Sequence, residues 1–181
     1  MVRFAPALYE RRDQGSRRRQ IVTVLEAALD AVDPRAAVRR HLRREGEILH
    51  IGDAAYDLRR YEHIYVVGAG KAGAPMAQAV EQVLGDRITT GHVNVKYEHT
   101  LPTRLVELSE AGHPIPDEAG VAGAQRIAEL VSQAGEDDLV LCLISGGGSA
   151  LMTLPVAGIT LADMKVLTNA LLRRGATINE I

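Results

Sequence analysis

A glycine-rich segment with a central lysine, GAGKAG at residues 68–73, is the first part of the sequence whose residue types suggest chemistry. It follows an apolar run and opens a helical pattern, so its backbone N–H groups are expected to face an anion. Gly68 and Gly70 would let the backbone approach a phosphate, and Lys71 would add a mobile positive charge. The glycine spacing is that of a dinucleotide-binding loop, whereas the lysine is more typical of phosphate handling.

A dinucleotide-binding site also requires an acidic residue about 20 residues after the glycine loop, which binds the ribose. Lys96 lies near the end of the following predicted strand, and Glu98 comes later than the usual spacing. A lysine there would suit a 2′-phosphate, so NADP stays open. The match to a nicotinamide site is partial.

A second glycine-rich segment, SGGGSA at residues 145–150, is the stronger signal. Three consecutive glycines after an apolar strand cost more conformational entropy than a plain turn needs. Together with the hydroxyls of Ser145 and Ser149, Gly146, Gly147 and Gly148 could form a nest for phosphate or carboxylate. It is not a Walker A loop, because no GK[ST] ends it.

A third loop, GHPIPDE at residues 112–118, also follows a predicted strand. His113 could contact an anion, although a structural loop in which Asp117 caps the next helix explains the segment equally well. The other histidines show no metal-type spacing, which argues against a zinc site.

The elements that carry these loops alternate between strand and helix periodicity. The pattern predicts a mostly parallel, Rossmann-like sheet in a three-layer α/β/α sandwich, preceded by an N-terminal helical segment, so all three loops should meet at one sheet edge. The predicted helices are 17–32, 34–44, 72–84, 118–133 and 161–174, and the predicted strands are 47–52, 63–67, 87–95, 105–110 and 139–144. The last strand is expected to be buried on both faces, with Cys142 as an apolar filler.

The composition limits the function classes. The chain has 181 residues, of which 46% are hydrophobic, so it can bury a sizeable core. Only 3% are aromatic, which leaves few rings to stack on bases, and the arginines of the N-terminal third are interpreted as solvated helix faces. Nucleic acid is therefore not an expected partner. One cysteine and the lack of a long apolar run indicate a cytoplasmic protein without a membrane span.

These motifs together resemble the glycerate 2-kinase family. The resemblance rests on VVGAGKAG, AGHPIPDEAG and, most specifically, the SGGGSAL segment. It implies transfer of the ATP γ-phosphate to the 2-hydroxyl of D-glycerate with Mg²⁺, with Lys71 as the catalytic residue. It also implies that Gly68, Gly70, His113 and residues 145–149 bind phosphate or substrate. The metal ligands are unassigned.

The resemblance further implies a domain organisation. Residues 1–15 are expected to be a flexible lead-in, and residues 16–181 an N-terminal domain that lacks the family's C-terminal MOFRL-type domain. The oligomeric state stays open, with a homodimer as one alternative. Two other hypotheses stay open, an NAD(P)-dependent hydroxypyruvate reductase and a non-catalytic remnant, but Lys71 and the second loop favour phosphate transfer.

Overall fold

The computed structural model describes residues 3–5, 15–177 and 179–180, so the lead-in predicted for residues 1–15 lies almost entirely outside it. The predicted N-terminal helices are confirmed as α1, Gly15–Ala31, and α2, Pro34–His41. Asp33 caps α2 by accepting a hydrogen bond from the backbone N–H of Ala36 at 2.7 Å.

A small antiparallel sheet follows α2, and only its middle strand was predicted. Its strands are β1, Leu42–Glu45, β2, Ile48–Ile51, and β3, Ala54–Asp57. The predicted helix end near Arg44 is therefore wrong. Leu42 pairs with Ile51 and Arg44 with Leu49, so backbone pairing with β2 replaces the last helical turn.

The main sheet is parallel and has four strands in the order β6-β5-β4-β7. Its strands are β4, His63–Ala69, β5, Thr90–Lys96, β6, Val106–Ala111, and β7, Asp138–Ile144. The strand predicted from Arg87 starts later, because Gly85–Arg87 form a short 3₁₀ helix.

Helices cover both faces of this sheet, which confirms the predicted three-layer α/β/α sandwich. Helix α3, Gly73–Leu84, packs on one face, where a β-carbon at Gly73 would contact Val93. Helix α4, Glu118–Gln133, packs on the other, where Gly123 lies against Asn94. Val93 and Asn94 are successive residues of β5 and so point to opposite faces. The main apolar core fills the α3 side, where Ile64, Val66, Val80, Leu84 and Val95 are buried.

Two short-range predictions at helix starts are confirmed. Asp117 caps α4 through the backbone N–H of Gly120 at 2.9 Å. Thr160 and Asp163 form the predicted capping box of α6, Leu161–Arg173. Between α4 and α6 lie β7 and the single-turn helix α5, Gly148–Leu151.

Strand β7 was predicted to be buried on both faces, and this is wrong. It lies at the edge of the sheet beside β4, and Ile144 is 54% exposed. Cys142 is exposed as well, not a filler in a buried strand. In the described residues, no helix combines the length and apolar character that a membrane crossing requires.

Candidate anion-binding site

The two glycine-rich loops lie side by side because they follow the neighbouring parallel strands β4 and β7. Their backbones are joined by hydrogen bonds from Lys71 N–H to the Gly146 carbonyl and from Ser145 N–H to the Ala69 carbonyl, at 3.0 and 3.1 Å. The Ser145 hydroxyl accepts a third bond, from Ala72 N–H at 3.0 Å. The loops therefore form one structural unit at the carboxyl edge of the sheet.

Gly68 and Gly70 lie beneath this unit and are buried. A β-carbon at Gly68 would lie 2.1 Å from the Leu143 carbonyl oxygen of β7, and one at Gly70 would lie 2.0 Å from the Ser145 hydroxyl oxygen. Gly70 also has a φ of 145°, which few other residues adopt. Close packing of β4 against β7 accounts for Gly68, and close packing of the two loops accounts for Gly70.

The backbone N–H groups of the first loop donate within the protein. Gly70 donates to Asn94, Lys71 to Gly146, Ala72 to Ser145, and Gly73 to Gly70. The sequence predicts that these groups face an anion. In the structure, those of Lys71 and Ala72 hold the two loops together, and those of Gly70 and Gly73 donate to other carbonyls.

The second loop offers the open donors instead. Among the described residues, the backbone N–H groups of Gly146, Gly147 and Ser149 have no hydrogen-bond acceptor. Gly147 adopts a left-handed conformation, with φ 93° and ψ 1°, immediately before α5. Successive N–H groups around such a residue make a concave surface that suits an anion.

Lys71 and His113 converge on Gly147 of this second loop. A β-carbon built at Gly147 would lie 2.8 Å from Cδ2 and 2.9 Å from Nε2 of His113, and 3.4 Å from Cε of Lys71. Lys71 is exposed and His113 is half-buried. Three segments that are distant in the chain thus present a cation, an imidazole and open N–H donors at one place.

A second lysine contributes to the electrostatics of the site. Burial lowers the pKa of His113, and the positive charges of Lys71 and Lys96 lower it further. Lys96 ends β5 and is paired in register with Ala111, two residues before His113. Two lysine charges that act on one imidazole favour an anionic ligand over a cationic one.

The third loop is held by Asp117. Its carboxylate accepts a hydrogen bond from the Tyr97 hydroxyl at 2.7 Å and one from Gly120 N–H at 2.9 Å. Burial raises the pKa of Asp117, but the bonds from Tyr97, Gly120 and Gly112 outweigh that effect and lower it. Asp117 therefore fixes the loop that carries His113.

The acidic residues near the site do not fit a magnesium ion. The described part of the chain holds no group of three or more His, Cys, Asp or Glu side chains that could hold a metal. Asp117 is bonded to Tyr97, and Glu118 pairs with Lys165 at 2.8 Å. Mg²⁺ is usually bound through one or two carboxylates beside the substrate phosphates, and both of these carboxylates are engaged in other bonds.

Some contributors to the site were missed from the sequence. The sequence motifs indicate Lys96 only as a residue for a 2′-phosphate, and they do not mark Asn94 or Tyr97. The polar Asn94 within the apolar strand segment HVNV was an available signal, since buried polar side chains hold structural hydrogen bonds. No local pattern indicated that Tyr97 bonds to Asp117.

Comparisons with known proteins agree with this architecture. A D-glycerate 2-kinase from Thermotoga maritima is 38% identical over 170 residues, which are 93% of this chain and 37% of that protein. A protein named as a hydroxypyruvate reductase from Agrobacterium vitis is 49% identical over 116 residues, 64% of this chain and 30% of its own length. A solved Pyrococcus horikoshii structure matches with a TM-score of 0.78 and 35% identity, over 90% of this chain and 36% of its own.

The chain thus spans about a third of the length of the curated relatives it matches. A family model described as "Domain of unknown function (DUF4147)" matches residues 20–181. Because that match covers nearly the whole chain, the protein belongs to the DUF4147 family.

Proposed function

We propose that this chain carries the phosphate-binding part of a glycerate 2-kinase, which transfers the γ-phosphate of ATP to the 2-hydroxyl of D-glycerate. The observation that carries the proposal is the convergence of Lys71 and His113 on the open N–H groups around Gly147. Relatives named glycerate 2-kinase and glycerate kinase support both the substrate and the use of ATP.

The arrangement suits phosphoryl transfer, which depends mainly on positioning and on charge stabilisation. The Lys71 ammonium group would neutralise charge that develops on the transferring phosphoryl group. The N–H groups of Gly146, Gly147 and Ser149 would hold its oxygens. Ser145 would act indirectly, because its hydroxyl is bonded to Ala72 and keeps the loops together.

D-glycerate carries a carboxylate, so its binding requires positively charged protein groups besides those that bind the ATP phosphate. Lys96 ends β5, and His113 follows the end of β6. Both strands lie on the opposite side of β4 from β7, the strand that carries the second loop. We assign the acceptor to that side and the ATP phosphate to Lys71 and residues 146–149. Both anions would then approach each other between Lys71 and His113.

A hydroxypyruvate reductase is the competing function, because two of the relatives carry that name. A nicotinamide dinucleotide would place its pyrophosphate on the backbone N–H groups of the first glycine loop. Those of Gly70, Lys71 and Ala72 already donate to protein acceptors. This occupancy favours the kinase over the reductase.

A ligand panel tests the proposal. Mg·ATP, D-glycerate and NADPH would each be added to the purified chain while its thermal unfolding is followed. A ligand at about 100 times its Kd raises the free energy of unfolding by about 2.7 kcal/mol, which such an assay resolves. Stabilisation by Mg·ATP and D-glycerate is expected. Stabilisation by NADPH alone would replace the kinase with the reductase.

A further inference from the structure

The imidazole of His113 presents one nitrogen to the site. Its Nε2 and Cδ2 edge faces Gly147, because a β-carbon there would lie 2.9 and 2.8 Å from these two atoms. Lys71 approaches the same point through its Cε. The ring is thus directed at the place where the proposed function puts the transferring phosphoryl group.

The two ring nitrogens of His113 differ in position. Nε2 lies at the edge that faces Gly147, and Nδ1 lies at the side of the ring next to the main chain. A neutral imidazole carries one proton. When Nδ1 holds that proton, Nε2 carries the lone pair and acts as an acceptor.

Burial and then the charges around the ring lower the pKa of His113, which favours the neutral imidazole. Lys71 from the first loop and Lys96 from β5 both act against its protonation. Asp117, on the same loop as His113, is engaged with Tyr97 and with the start of α4. The ring therefore meets two cations and no free carboxylate among the described residues.

We propose that Nε2 of His113 is the general base that accepts the proton of the acceptor hydroxyl. The inference rests on the proposed function and adds a catalytic residue to it. A neutral imidazole whose lone pair faces the site can first accept a hydrogen bond from the hydroxyl and then its proton. Bases positioned in this way accelerate reactions by about 10²- to 10⁴-fold.

Two bonds break and two bonds form in the proposed step. The acceptor O–H bond breaks and its proton goes to Nε2 of His113. The oxygen forms a bond to the γ-phosphorus of ATP, while the bond from that phosphorus to the bridging oxygen breaks. The electron pair leaves with ADP. Nothing is oxidised or reduced, and the proton on His113 is afterwards lost to water.

The tautomer of His113 can be tested without turnover. Long-range ¹H–¹⁵N correlation spectra of the labelled chain at pH 7.5 would report the protonation of each ring nitrogen, with the His113 signals assigned from His113→Gln. The expected result is a neutral ring protonated at Nδ1, whose Nε2 signal moves when D-glycerate is added. A ring protonated at Nε2, or a charged ring, would overturn the proposal.

Matched variants separate this inference from the proposed function. In His113→Leu the affinity for D-glycerate should fall about five- to tenfold, the cost of one hydrogen bond, with Mg·ATP affinity unchanged. His113→Gln, which keeps an acceptor, should recover most of the loss. His99→Leu is the control, because His99 Nδ1 lies 2.9 Å from the Tyr97 carbonyl oxygen in a neighbouring loop.

Calorimetry distinguishes a failure of the general-base assignment from a failure of the kinase proposal. If D-glycerate and Mg·ATP bind but His113→Leu binds D-glycerate as the unaltered chain does, the general-base assignment fails and the kinase proposal stands. If neither ligand binds, the kinase proposal fails and the assignment fails with it. A loss of Mg·ATP affinity in His113→Leu would instead show that His113 serves the phosphate side, which also contradicts the assignment.

Discussion

Gly147 and His113 are packed so closely that no side chain fits between them. A β-carbon at Gly147 would lie 2.8 Å from Cδ2 of the His113 ring, and Gly147 also has a φ of 93°. The glycine is therefore required twice, once by its backbone conformation and once by the imidazole. The contact links the second glycine loop to the third, which are more than thirty residues apart in the chain.

Gly147→Ala should weaken Mg·ATP binding by at least about tenfold, because the new methyl group would press against the His113 ring and distort the turn that exposes the N–H donors. The matched control is Gly158→Ala. Gly158 has a similar φ of 89° but nothing within 4 Å of its β-carbon position. Both variants should lose about 1–2 kcal/mol of stability from the left-handed conformation. Equal Mg·ATP affinities of Gly147→Ala and Gly158→Ala in titration calorimetry would contradict this role of Gly147.

Asn94→Ala should destabilise the fold by about 2–4 kcal/mol. The side chain of Asn94 is fully buried and donates to the carbonyls of Leu151 and Gly120, at 2.8 and 3.2 Å. Its removal leaves both carbonyls without that donor and opens a cavity between β5, α4 and α5. Urea unfolding measures the change.

Asn169→Ala is the control for this prediction. Asn169 is exposed and makes one side-chain bond, to the Lys165 carbonyl. Its replacement should change the free energy of unfolding by less than about 0.5 kcal/mol. Equal losses in the two variants would mean that Asn94 does not anchor α4 and α5.

We expect the free energy of unfolding to fall between neutral and mildly acidic pH because of His92. Its side chain is buried on β5, and burial lowers its pKa although Glu107 Oε2 lies 3.5 Å from Nδ1. Arg126 of α4 also lowers the pKa, and Asn94 raises it. Because the folded state holds the neutral ring, the unfolded state binds more protons once the pH falls below about 6.5. Stability is then lost at up to about 1.4 kcal/mol per pH unit.

The measurement is the free energy of unfolding between pH 7.5 and 5 for the unaltered chain and for His92→Gln. The variant should show a shallower decline with falling pH. His41→Gln, at an exposed position, should follow the unaltered chain. The same slope in all three proteins would exclude His92 as the cause.

The layers of the fold and several helix starts could be predicted because their signals are local. Strand and helix periodicity alternate along the chain, and Asp117, Thr160 and Asp163 cap helices through neighbouring backbone groups. The end of α2 and the exposure of β7 could not be predicted in this way. Leu42 leaves the helix to pair with Ile51, and an apolar strand such as β7 has the same pattern at an edge as at the centre.

The meeting of the loops at one edge was predictable from the strand pattern, but the contacts within the site were not. Lys71 reaches Gly147 only because β4 and β7 are neighbours, and strand order is not encoded in local periodicity. The same adjacency places Gly146 and Ser145 where they accept the N–H groups of the first loop. A motif considered alone could not reveal that its donors are already used.

Calorimetric titration of Mg·ATP into the unaltered chain and into Lys71→Met measures how much the Lys71 ammonium group contributes to phosphate binding. Lys165→Met serves as the control, since Lys165 pairs with Glu118. We expect saturable binding whose affinity falls by about ten- to a hundredfold in Lys71→Met, the cost of a charged hydrogen bond, and is unchanged in Lys165→Met. Binding that is absent from the unaltered chain, or equal in the two variants, would contradict a phosphate site built on Lys71.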